Sequence, residues 1–156
     1  MSQHDDPLAP AVHTAHAWLH TIGAHLGTDD RTFVYRAVRA WLHAVRDQVE
    51  VATAAHLAAQ LPEMLRGAFY EGWVPARVPA HHDVTSFVGA FAEEAGVSPD
   101  EAAALAGAVT KALSGLFSPG QLDGVFAVLP AKLRTLLSGI ELDGTLGGAI
   151  ANAPDR

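Results

Sequence analysis

The 156-residue sequence has no cysteine, which removes disulfides, thiolate nucleophiles, iron–sulfur clusters and cysteine-type zinc sites together. Aromatic residues make up only 7% of it, although 49% is hydrophobic, so the apolar supply is mainly Ala, Leu and Val, suited to close helix packing. No apolar run approaches the ~20 residues that span a bilayer. The first ten residues, "MSQHDDPLAP", are acidic and unlike a signal peptide. Basic residues are few, 10 Lys and Arg against 17 Asp and Glu, which argues against a nucleic-acid binder that must neutralise many phosphates. These shortages lead us to expect a cytoplasmic protein with no membrane or nucleic-acid partner.

Catalytic signatures are also missing. There is no HExxH, no GxSxG elbow and no paired Glu-x-x-His of di-iron bundles. "GTLGGAIA" near the end has no strand before it and does not read as a phosphate loop. No cofactor is expected; no catalytic motif is recognised, which leans against an enzyme and leaves unrecognised activity open as part of the alternative reading.

What is present is helical periodicity. Val12, Ala15, Leu19, Ile22 and Leu26 form one stripe, closed by Gly27 as a C-cap. Val34, Val38, Trp41, Val45 and Val49 form a second, opened by Thr28 or Asp29. Thr53 is read as the cap of a third helix, and Leu61-Pro62 as a corner at which one short helix ends and another begins with Pro in its first turn. After the Pro-containing stretch 72–80 the pattern recurs. Asp83 opens a helix ending at Gly96; "SPDE" (98–101) reads as a capping box; "SPGQ" (118–121) reads as the same device; and "VLPAKLRT" repeats the "QLPEMLRG" corner sixty-eight residues on.

At that offset Val38, Trp41, Val45, Val49, Leu57 and Leu61 fall on Ala106, Val109, Leu113, Phe117, Val125 and Leu129. The expectation is a single all-α domain over 1–156, a compact bundle of two tandem, pseudo-twofold-related helical repeats with Leu-Pro corners. The repeats would cover 12–73 and 83–138, with a linker at 74–82 and a loose tail over 139–156.

The strings "LHAVRDQV" and "AAHLAAQLPEMLRGAFYEGW" resemble the family called domain of unknown function 2267. Leu42-His43, Arg46-Asp47, His56-Leu57, Gln60-Leu61-Pro62, Leu65-Arg66-Gly67, Tyr70 and Gly72-Trp73 carry the likeness, which extends over roughly residues 12–138. The resemblance implies a small bacterial, cytosolic, all-helical protein with two related halves, and brings no activity, substrate or cofactor. The second half departs from the pattern, with "LRTLLSG" where the first has "LRGAFYEGW".

All nine His, all three Trp and both Tyr lie at or before residue 82, so polar specialisation is confined to the first half. His16 and His20, one turn apart, have the spacing to bite one metal. His13 and His20 are separated by about 10 Å of helix axis, so the full run does not converge; the alternative is a solvated flank. Arg36, Arg39, His43 and Arg46 share one helix edge. That edge would receive an anion or an acidic partner, or else pair internally with Asp47, Glu63, Glu71 or the acidic second half. His56, Gln60 and Arg66 flank the Pro corner. They would satisfy open helix-end carbonyls, or line a notch for a small anionic ligand near Trp73. The reading adopted is a non-enzymatic protein-interaction or self-association module. Its contact surface would comprise Arg36, Arg39, His43, Arg46, His56, Gln60, Arg66 and Trp73, with a small anionic ligand or metal protein as the alternative.

Overall fold

The computed structural model describes residues 5–139, and these form eight α-helices with no strand among them. They are α1 (Ala9–Leu26), α2 (Arg31–Arg46), α3 (Val51–Ala58), α4 (Glu63–Tyr70), α5 (Val84–Ala95), α6 (Pro99–Leu116), α7 (Gln121–Ala127) and α8 (Ala131–Leu137). A 3-10 turn at Pro75–Arg77 interrupts the connection between α4 and α5. The tail expected after Gly139 lies outside the described residues. No helix among the described residues is long and apolar enough to cross a membrane.

The helix ends follow local chemistry, with instructive displacements. Gly27 and Gly96, the residues after α1 and α5, both sit at φ +74°, a left-handed conformation that glycine adopts without the penalty a Cβ would bring. Asp83 Oδ1 accepts the Ser86 N–H at 2.7 Å, as its capping position requires. Before α6, the Glu101 carboxylate accepts both the N–H and the hydroxyl of Ser98, closing the box expected from "SPDE". Before α2 the cap is Asp30 rather than Thr28 or Asp29; Asp30 accepts from Phe33 N–H, while Thr28 accepts from Asp30 N–H. Two expected caps are corrected. Thr53 lies inside α3, which starts at Val51 after Glu50, and α7 starts after Gly120 at φ +84°, with Ser118 contributing only its carbonyl. Glu50, in extended conformation, starts α3 three residues before Thr53, and α7 starts two residues after Ser118, so neither hydroxyl lies at a helix start. Helix α1 likewise begins at Ala9 rather than Val12, because Pro10 is compatible with a first turn.

Both Leu-Pro corners are formed. Leu61 and Leu129 are buried, and Pro62 and Pro130 sit one residue before α4 and α8, each accepting a helical hydrogen bond from Arg66 or Arg134 N–H. All twelve residues in the six paired apolar positions, from Val38–Ala106 to Leu61–Leu129, are in the core. Packing joins α2 to α5 and α1 to α6, α1 to α2 and α5 to α6, α2 to α4 and α6 to α8, α1 to α4 and α5 to α8, α2 to α6, and α3 to α7. Exchanging α1–α4 with α5–α8 maps this set of pairings onto itself.

Helices α2 and α6 meet at the centre through a polar contact within the apolar core. The fully buried Trp41 indole N–H donates to Thr110 Oγ1 at 2.9 Å, and the hydroxyl donates onward to Ala106 O at 2.9 Å. A Trp ring brings a large apolar area but needs one acceptor when buried.

Thr110→Val, which keeps the shape and removes the acceptor, should cost about 1–3 kcal/mol in denaturant unfolding, whereas Thr110→Ser should cost less. The backbone N–H of Ser86, then its side chain and the charge of His82, hold the Asp83 carboxyl below its ordinary 3.8; the backbone and then side chain of Ser98 hold Glu101 below 4.5. Depressed folded-state values mean stability present above these pH values and lost as pH falls through them. The Tm gap between the wild type and an Asp83→Ala, Glu101→Ala double variant should therefore be widest near neutrality and narrow below pH 4.5 and 3.8.

Candidate functional site

The basic edge of α2 does not stay together at the surface. Its periodicity places Arg36, Arg39, His43 and Arg46 on one side, but α5 and the end of α4 pack against much of that side. Arg36 remains exposed, with its guanidinium against Gly96 at the C-terminal end of α5; a Cβ on that glycine would lie 2.9 Å from Nη1. A cation there meets the negative end of the helix. Arg39 is half-buried, lies over the Tyr35 ring at 5.6 Å and donates to its hydroxyl at 3.4 Å.

His43 and Arg46 are buried and correct the surface expectation directly. Helix α4 ends at Tyr70, and its last carbonyls turn toward α2 instead of water. His43 Nε2 faces Ala68 O at 2.7 Å and Nδ1 faces Glu94 Oε2 at 2.5 Å, so the ring joins α2, α4 and α5. Ala68 O can only accept, so Nε2 carries the proton that it donates there. Arg46, 4% exposed, donates from one terminal nitrogen to Phe69 O and Glu71 O at 2.8 Å each, and its Nε donates to Asp47 Oδ1 at 2.8 Å. The planar fork suits several acceptors at once. Of the two readings of this edge, internal pairing is the arrangement found for these two residues.

The corner residues separate in the same way. Arg66 is exposed but folds back on the corner, donating to Leu61 O at 2.9 Å and Ala58 O at 3.3 Å, and so caps the end of α3. Gln60 and the exposed His56 instead line an open cleft of about 350 Å³ between α3 and α7, opposite Gly120, Gln121 and Gly124. No single notch brings His43, His56 and Arg66 together. Trp73 is half-buried, tilted against Tyr70 at 5.3 Å, and its indole N–H is buried without an acceptor.

His16 and His20 are exposed and line different depressions, His16 with Tyr35 and Met64, His20 with Thr28 and Asp29. Among the described residues no group of three or more His, Asp or Glu is placed to hold a metal.

A feature the sequence reading missed lies between α1, α2 and α4. An apolar groove of about 360 Å³ is lined by Val12, Ala15 and Leu19 from α1, Thr32 and Tyr35 from α2, and Met64 and Leu65 from α4, with His16 and Arg31 beside them. Val12 is 38% exposed, although it belongs to the core stripe by spacing; Tyr35 is 38% and Met64 49% exposed. Large apolar side chains exposed together mark a contact site far better than scattered ones. The signal was in the sequence, since Met64 falls outside the Leu61, Leu65 and Phe69 stripe, but nothing placed it beside Val12.

Comparison with protein families gives one result. The profile described as "Uncharacterized conserved protein (DUF2267)" matches residues 15–136. The chain belongs to this family. The match covers both Leu-Pro corners, His43, Arg46, Arg66 and most of the groove. No curated protein matches the chain closely enough to lend it an activity.

Arg46→Ala should lower stability by about 3 kcal/mol or more, because it leaves the buried Phe69 carbonyl without its donor and Asp47 without its partner. Arg39→Ala, at a half-exposed site, should cost under about 1 kcal/mol. Urea unfolding of the two variants checks the contrast.

Proposed function

We propose that this member of the DUF2267 family is a non-enzymatic, cytoplasmic protein-interaction module, and that its contact face is the groove between α1, α2 and α4. The observation that carries this reading is the exposure of Val12, Tyr35 and Met64 around one depression. The face keeps Arg39, which braces Tyr35, and releases His43 and Arg46, whose donors are engaged inside the bundle, and Arg66, which is exposed but occupied by the carbonyls of its own corner. Leu8, 60% exposed and one turn before Val12, extends the apolar strip.

The exchange-symmetric helix pairing supports a further element of the reading, that the two halves descend from one duplicated unit. On this view the second half is scaffold and the first carries the contact face. The second half has Lys111 and Ser114 where the first has His43 and Arg46.

A photo-crosslinking residue at position 64 should give adducts of discrete mass in the cell that makes the protein. The same residue at Lys132, exposed on α8, should not, and Tyr35→Glu should suppress the adducts at 64. Equal labelling at both positions, or none at 64, would reject the groove as a contact face.

A further inference from the structure

We infer that the groove receives an acidic amphipathic helix of another protein; this rests on the interaction reading and names its partner class. The first argument is charge. The sequence carries 17 acidic and 10 basic residues, yet the lining of the groove contains His16 and Arg31 and no carboxylate. Arg39 stands next to it, held by its contact with the Tyr35 ring. Each copy carries a net charge of −7, which opposes the approach of a second copy as a whole, while the local basic rim attracts an acidic segment and sets its orientation and encounter rate.

The second argument is shape. Val12, Ala15 and Leu19 run along α1 at spacings of three and four, so one wall of the groove is itself a helix face, while Met64 and Tyr35 form the opposite side. A volume near 360 Å³ is at the small end of the roughly 300–1,000 Å³ typical of ligand sites. It suits two or three apolar side chains rather than a whole domain. An incoming helix supplies such anchors one turn apart, about 6 Å along its axis, and leaves its flanking positions to meet the rim. Met64 is an adaptable anchor for this purpose, being unbranched and polarizable. The groove lining therefore specifies an apolar stripe, and the rim specifies Glu or Asp beside it.

The test uses the full chain and two synthetic probes of about 18 residues, Ala-based so that they are substantially helical, each with Leu at helical spacing. One carries Glu at the flanking positions and the other Lys. In fluorescence anisotropy the Glu peptide should bind at least about tenfold more tightly than the Lys peptide, with the difference shrinking as salt rises. Met64→Glu should abolish binding of the Glu peptide, and Arg31→Glu should reverse the preference; both positions are exposed, and circular dichroism confirms that the variants fold. Equal binding of the two peptides, binding that survives Met64→Glu, or no binding at all overturns the inference. So does a dimer in sedimentation equilibrium that Met64→Glu dissociates, since a second copy would then be the occupant. The two readings fail separately: position-64 adducts without preference for the Glu peptide would leave an interaction module with a different partner, and loss of both would retire the groove.

Discussion

Helix α4 is only eight residues long and ends without a left-handed glycine cap, and its last carbonyls face the protein interior. Buried carbonyls need donors, and an eight-residue helix has no length of its own to stabilise it. His43 and Arg46 supply those donors from α2, reaching Ala68, Phe69 and Glu71. Arg66 does the same for the end of α3. The position of α4 follows from these contacts, and with it the position of Met64 on the groove wall. The site thus depends on polar groups that take no direct part in it.

The arrangement also explains the uneven chemistry of two similar halves. The helix pairings are the same under exchange, and the apolar positions correspond, so the core asks the same of both. The donors do not correspond: Lys111 and Ser114 stand where His43 and Arg46 would fall. Even the central contact is unequal, with a Trp from α2 donating to a Thr from α6. A stripe can be repeated without its polar companions because burial is non-directional, whereas hydrogen bonds to helix ends require particular atoms in particular places.

Much of the fold was legible. The periods of Val34–Val49 and its counterpart, the glycines at 27 and 96, the Ser98–Glu101 box and the two Leu-Pro corners all act within a few residues, and local sterics and hydrogen bonding fix them. Thr53 and Ser118 do not cap because neighbouring residues, Glu50 and Gly120, can equally precede a helix, and nothing in the local pattern ranks them. The candidate site was less legible. A row of bases on one helix edge has the same spacing whether it faces water or a neighbouring helix. The spacing of His43 and Arg46 therefore fits a surface site and internal pairing equally, and packing encloses both. Val12 fits the core stripe for the complementary reason: its spacing does not tell whether α2 and α4 close over it or leave a groove, and they leave one.

The sequence by itself determined the helices, their apolar faces, the turns between them and the family, because each of these is written in contiguous residues or fixed spacings. The tertiary structure alone decided which polar side chains would be enclosed and which apolar ones left open. That choice depends on how α4 and α5 lie across α2, a relation between segments distant in the chain, and no local spacing encodes it.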